Sequence, residues 1–460
     1  MIAPLFHAWE HYLASVSKDR TVRPFDWGLD WIGDDSRDIE SSGQRLSAWV
    51  SEQMSDTTAF FDVPPTSDYV FEQAPMDMQR QGEAGTLRFP SAFVTPYPEN
   101  NTVEARWFPS PGEPAVGTRG RRGRAVIVLP QWNSDPRGHI GLSRLLARFG
   151  VSALRMSLPY HDARMPAELT RADYIVSSNI ARTIQGCRQA VLDARRAVGW
   201  LAEAGYERIG ILGSSLGSCL AMLTTAHEPR IRAAALNHVS PWFADVVWRG
   251  LSTRHVREGL NGHIDLDQLR DLWRPISPFS YMDRVGHART LLVYARYDLT
   301  FPVDLSRMLV DEFRARELPH EVALLFILFI NALARALTAT GKKRGIAHGM
   351  RDVDQFNNLA FCDDMSIFAQ NEKGMQQLLE VVEKFEQWSG IRVNLKKTIV
   401  MAVDGMESRR RTAVRVVYRG KPIRQVQETE ACRYLGFWAT PPCPSLQRLL
   451  TSASTSLRSI

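Results

Sequence analysis

The spacing of apolar and polar positions changes character several times along the chain. Residues 8–17 and 42–53 repeat their apolar positions with a helical period and predict two helices. Between them lies an aromatic run, Phe25-Asp26-Trp27-Gly28-Leu29-Asp30-Trp31, of a kind that more often packs than binds a ligand. Residues 86–107 alternate and predict one or two antiparallel strands. Residues 109–122 are rich in Pro, Gly and Arg and predict an exposed loop. A β-α-β rhythm follows. Short apolar runs at 125–129, 152–156, 209–212, 233–237 and 290–294 predict strands. Amphipathic segments at 140–149, 179–204 and 305–314 predict helices, the first two stopped by Gly150 and Gly205. Strands alternating with helices imply a mainly parallel sheet covered on both faces.

The rhythm breaks near 324–326. Beyond it the pattern predicts helices at 326–340 and 373–387, an apolar stretch at 358–368 and a further segment at 412–419, with no return of the β-α-β units. The expected organisation is a helical N-terminal extension at 1–85, an α/β domain at 86–325 and a separate third part at 326–460.

Composition narrows the class. A chain of 460 residues fits two or three domains. With 44% hydrophobic and 23% charged residues it can bury a sizeable core. The net charge of +6 is too mild to imply nucleic acid by itself. The basic clusters Arg121-Arg122-Gly123-Arg124, Lys342-Lys343-Arg344 and Arg409-Arg410-Arg411 read first as solvated loops. The five cysteines are scattered without a CxxC pair, which argues against a disulfide framework or zinc site and for a reducing compartment. No basic, then apolar, leader pattern opens the chain. The longest apolar stretch, 322–337, is interrupted by Asn331 and Arg335, short of the about 20 residues a membrane span needs. A cytoplasmic location is expected.

Candidate chemistry centres on Gly213-Ser214-Ser215-Leu216-Gly217. A strand-like run leads into this G-x-S-x-G pentapeptide and a helix-like run leads out. Such a turn holds its central serine in strained geometry above the sheet edge. The segment resembles the nucleophile elbow of α/β-hydrolases, and the resemblance covers roughly 86–324. It implies an α/β-hydrolase-like, mostly parallel sheet lacking its last element, with Ser215 as nucleophile. Tyr294-Ala295-Arg296-Tyr297-Asp298-Leu299-Thr300-Phe301-Pro302 resembles the family's acid-bearing segment, which makes Asp298 the acid. Asp304 suits helix capping better. The oxyanion donors implied are the backbone N–H of Leu216 and of Gln131 or Trp132. The family places its histidine after the last strand, but residues 321–325 run straight into Phe326-Ile327-Leu328 without one. Beyond Asp298 stand His320, at the wrong end of that strand, and His348. His161, His227, His238 and His263 break the family order and read as surface or packing histidines. The triad histidine is therefore missing, and the hydrolase part needs no cofactor.

Residues 326–437 resemble the palm of a non-LTR retrotransposon-type reverse transcriptase. Phe361-Cys362-Asp363-Asp364 looks like its aromatic-x-Asp-Asp box, whose carboxylates hold Mg²⁺ for nucleotidyl transfer. Residues 325–331 resemble the helix after the template-binding motif. Residues 390–398, Gly-Ile-Arg-Val-Asn-Leu-Lys-Lys-Thr, resemble the G-x-x-x-N-x-x-K-T box with Lys397, and Tyr434-Leu435-Gly436 resembles the primer grip. The earlier palm aspartate and the fingers have no counterpart. Asp363 and Asp364 therefore form an incomplete metal site, and Mg²⁺ is expected only if that site is completed. The expected function is a serine esterase-like hydrolase acting on a small ester, impaired by the missing histidine and fused to a truncated reverse-transcriptase segment. The alternative is a retroelement-derived polymerase fragment without polymerase activity. Weak RNA or DNA binding through the C-terminal part is the only further partner expected.

Overall fold

In a computed structural model the described residues are 11, 20–36, 38, 40–114, 116, 122–295, 298–325, 358–361, 364–369, 371–389, 392–395, 398–401, 415–426, 432–434, 437–439 and 452–458. The expected helices at 8–17 and 326–340 lie outside them, apart from His11. Two compact units emerge, His7–Ala323 and Leu324–Ile460 together with Met1–Phe6.

The first unit is built on a nine-stranded sheet. Its strands are β1 (Val70–Gln73), β2 (Gly85–Pro90), β3 (Thr102–Phe108), β4 (Arg122–Leu129), β5 (Val151–Met156), β6 (Tyr206–Ser214), β7 (Ile231–Asn237), β8 (Arg289–Ala295) and β9 (His320–Leu325). They lie in the order β1-β2-β3-β5-β4-β6-β7-β8-β9. The β1, β2, β3 and β5 pairings are antiparallel, and β5-β4-β6-β7-β8 are parallel throughout. The parallel centre follows from its sequence: β4 is buried without a break from Ala125 to Leu129, as a strand covered on both faces requires. The sheet also starts earlier than residue 86, because β1 pairs with β2 along Val70–Gln73.

Helices clothe the sheet: α1 (Ser42–Ser55), α2 (Ile140–Arg148), α3 (Ile180–Glu203), α4 (Leu216–His227) and α5 (Val303–Ala315). The Asn179 side chain caps α3 by accepting from Arg182 N at 2.9 Å. α3 is buried around most of its circumference, and the chain leaves it through Gly205 at φ 97°. One core joins Leu46 and Val50 of α1 to Trp107, Leu154, Ile184, Leu220 and Leu309. The segment before residue 86 is thus part of the same packed body. Among the described residues no helix is long and apolar enough to cross a membrane.

In the second unit, β10 (Asn358–Phe361) and β11 (Asp364–Phe368) form an antiparallel hairpin with Phe361 opposite Asp364. β11 pairs on its other side with the antiparallel strand Ser452–Arg458. Helix α6 (Glu372–Ser389) buries Met375, Leu378, Leu379 and Val382 along one stripe. Its Gln376 side chain exchanges two hydrogen bonds with the backbone of Val417.

Candidate active site

Ser215 ends β6 and opens α4. Its backbone stands at φ 54° and ψ −121°, a conformation costing about 1–3 kcal/mol that persists only when its surroundings impose it. They do. A Cβ added to Gly213 would lie 2.1 Å from Gly217 O. One added to Gly217 would lie 2.3 Å from Leu129 O and 2.4 Å from Pro130 O. The two flanking glycines are therefore required by backbone packed on backbone. Ser215 N donates to Asn237 O at 2.7 Å, which ties the turn to the end of β7. Leu216 begins α4, so its N–H is among the first-turn donors that the helix itself does not use.

Close packing at Gly217 also brings Leu129 and Pro130 against the elbow, with Gln131 and Trp132 next along the chain. The loop after β4 is clamped at several points. The Trp132 indole donates to Ala172 O at 2.8 Å, and Ala172 N donates to Asn133 Oδ1 at 2.7 Å. Asn133 N donates to His161 Nε2 at 2.9 Å, while His161 Nδ1 faces Pro159 O at 2.9 Å. His161 is fully committed: Nδ1–H donates, Nε2 accepts, and burial pushes its pKa down to about 4. Further along, His139 Nε2 meets Ser214 Oγ at 2.9 Å. Burial, with Arg155 adding to it, holds this imidazole below its ordinary value. These contacts tie the loop after β4 to Pro159, His161 and Ala172.

Asp298 follows β8. Its Oδ1 accepts from Thr300 N and Phe301 N, both at 2.8 Å, so it caps its own loop. Its Oδ2 lies 3.3 Å from His238 Nε2. The expectation that Asp304 would do the capping is corrected: Pro302 holds the N-cap of α5, and Asp304 pairs with Arg249 at 2.7 Å. His238 is also corrected, since it faces Asp298 rather than merely packing. It follows β7 directly, and its side chain is 17% exposed against 8% for Asp298. Burial pushes the His238 imidazole below its ordinary value, with Asp298 opposing. Burial likewise raises Asp298, opposed by His238 and by the N–H groups of Phe301 and Thr300. No hydrogen bond joins Ser215 Oγ to either group. The signal that marks His238 is positional: it ends the strand lying between the elbow strand and the acid strand. Strict motif order hid it.

The remaining histidines serve packing or local structure. His227 is boxed by Phe61 and Tyr281 and pushed down to about 3, chiefly by burial. His263 stacks on Phe25. His320 starts β9 and faces Leu318 O at 2.8 Å; His348 lies outside the described residues. A groove of about 770 Å³ opens elsewhere, beside Arg124, Arg208, Arg232 and Arg289 at the strand starts. Ser215 stands at the opposite ends of these strands.

In the second unit Asp363 and Lys397 lie outside the described residues, and of Asp364 only the backbone is described. Register places Ser456 opposite Asp364. The strand carrying it reads Ser-Ala-Ser-Thr-Ser-Leu-Arg and brings no carboxylate to the hairpin. Two-metal chemistry needs carboxylates from more than one strand. Among the described residues, no further carboxylate is paired with β11 on that side.

Comparison with known proteins agrees with this division. Residues 322–439 match the family model for reverse transcriptase (RNA-dependent DNA polymerase). No curated protein matches the chain. Similar solved structures include the acetyl xylan esterase of Paenibacillus sp. R4, at 15% identity and a TM-score of 0.45, covering 66% of this chain and 90% of that one. Acetyl xylan esterase 1 from Thermoanaerobacterium sp. JW/SL YS485 covers 66% and 88%, at 13% identity and a TM-score of 0.43. A Pyrococcus horikoshii acylaminoacyl peptidase covers 55% of this chain at 14% identity and a TM-score of 0.40. The present chain spans 37% of that peptidase's length. At this distance the neighbours say nothing about substrate. A nine-stranded sheet with a parallel centre is thus followed along the chain by a segment that matches the reverse-transcriptase family model.

Proposed function

We propose that the first unit is a serine hydrolase of the carboxylic-ester type, impaired by loss of the histidine that would follow its last strand. The carrying observation is Ser215 itself, held at φ 54° between two glycines that no other residue can replace without clash. In this reading Ser215 Oγ attacks an ester carbonyl. The N–H of Leu216, with that of Gln131 or Trp132, receives the charge forming on the carbonyl oxygen. The alkoxide departs, and water then releases the acyl group. Asp298 is the acid, and no cofactor takes part. A small ester is the substrate class, and the free, buried thiols of Cys187 and Cys219 suit a cytoplasmic location. A fluorophosphonate probe tests the reading: labelling should be confined to Ser215. Equal labelling of the Ser215→Ala protein would remove the assignment.

The match at 322–439 favours a second reading for the other unit, a retroelement-derived fragment that binds RNA or DNA weakly. Its basic stretches 342–344 and 396–397 would make that binding fall steeply with salt. Filter binding of a single-stranded RNA at two salt concentrations checks this.

A further inference from the structure

We infer that His238 is the general base of the Ser215 site, taking the serine proton on Nδ1 while Nε2–H points at Asp298. This rests on the serine-hydrolase reading of the first unit.

The placement comes from the sheet. β6, β7 and β8 are adjacent parallel strands, with Ser214 opposite Asn237 and Asn237 opposite Val293. Ser215, His238 and Asp298 lie just beyond the ends of these three strands, with the histidine in the middle. Backbone bonds hold that order: Ser215 N donates to Asn237 O at 2.7 Å, and His238 N donates to Val293 O at 2.8 Å. Ser218 Oγ sits 2.6 Å from Ser215 O and 2.7 Å from His238 O, bridging the elbow and the histidine. His238 itself stands at φ 60°. A non-glycine residue in that left-handed region costs free energy, and such strain gathers at sites where a side chain must be aimed.

The chemistry follows from which nitrogen is occupied. The Asp298 carboxylate, 3.3 Å from Nε2, favours the proton on that nitrogen by its charge. That leaves the lone pair on Nδ1, which has no hydrogen-bond partner among the described residues. The usual triad runs the other way, with Nδ1–H on the acid and Nε2 on the serine. A histidine entering from β7, rather than from beyond the last strand, approaches from a different side and offers the opposite edge of its ring. As the Oγ–carbon bond forms, Nδ1 takes the Oγ proton and the carbonyl π pair moves to oxygen. As the tetrahedral species collapses, the ester C–O bond breaks and Nδ1–H protonates the leaving alkoxide. Water repeats both steps on the acyl-serine. The ring and Ser215 Oγ are not hydrogen-bonded in the unliganded chain; such contacts tighten when substrate binds.

The experiment uses full-length protein and an activated phosphonate, reading the second-order rate of Ser215 labelling. His238→Ala should slow it about 100-fold, the scale of a lost general base. Added imidazole should restore part of the rate in that variant and none in wild type. His238→Gln keeps an N–H for Asp298, so it should match wild type in thermal midpoint while labelling as slowly as His238→Ala. That separates a base from a packing residue. Labelling that needs Ser215 but proceeds at the wild-type rate in both variants overturns the inference and leaves the serine site standing. Slow labelling in both variants with no imidazole rescue also overturns it. Labelling that persists in Ser215→Ala removes the hydrolase reading, and this inference with it.

Discussion

The two units carry their motifs in opposite conditions. In the first, residues from far along the chain pack around the elbow pentapeptide. The backbone of Leu129 and Pro130 presses on Gly217, His161 pins the loop beyond, and a histidine from β7 faces the acid after β8. In the second, the hairpin that should present two carboxylates lies beside Ser452–Arg458, a strand with none to add. Both pentapeptide and hairpin are local signatures, but a site is a long-range assembly.

Gly217→Ala should break the first condition most completely. The added Cβ meets two backbone carbonyls rather than a side chain that could swing away. A loss of about 3 kcal/mol is expected, at the upper end of overpacking costs, together with loss of Ser215 labelling. Gly141→Ala is the contrast: nothing lies within 4 Å of its Cβ position on α2, so stability should rise by up to about 1 kcal/mol. Thermal unfolding of both variants decides the matter. An unchanged midpoint for Gly217→Ala would mean that the elbow is not held by this packing.

Acid should come next in size and should strike the first unit. His161 is neutral when folded, with its pKa pushed down to about 4, whereas in the unfolded chain it titrates near 6.5. Stability is therefore full above pH 6.5 and falls as pH drops toward 4, because only the unfolded state takes up the proton. The loss from this residue is at most roughly 3 kcal/mol. His227, pushed lower still, adds loss in the same direction. Hydrogen exchange at pH 7 and pH 4.5 should show weakened protection around 130–139, and His161→Gln should lessen the pH dependence. Protection that is unchanged at pH 4.5 would show that His161 is not held as drawn.

Much of this was legible in the sequence, and for a physical reason. The run 125–129 reads as a buried strand because parallel strands are apolar on both faces. The 179–204 helix reads clearly because Asn179 caps it and Gly205 ends it. The elbow reads clearly because only glycine fits beside it. β1 was not foreseen, since Val70–Gln73 is mostly exposed and shows no apolar alternation. His238 was misread because its partner lies sixty residues away along the chain. Only strand order, which no local pattern carries, makes them neighbours. Asp304 was misread because Pro302 takes the N-cap position and Asp304 lies inside the first turn, where it pairs with Arg249.

The smallest expected effect is none at all, and it sharpens the comparison from the other side. Full-length protein given primer, template, nucleotides and Mg²⁺ should show no extension. The reaction needs two metal ions held by carboxylates from separate strands. Asp364 faces Ser456 in register, and neighbours on that strand, Thr455 and Leu457, supply none either. Catalysis of nucleotidyl transfer also depends on holding the reacting atoms within about 3–3.5 Å of each other. The described residues before 322 belong to the nine-stranded α/β unit, and the reverse-transcriptase match begins only at residue 322. Asp364→Asn should accordingly change nothing in a primer-extension assay. Extension abolished by Asp363→Ala would reverse the comparison, for it would mean that the second unit obtains its missing carboxylate from elsewhere.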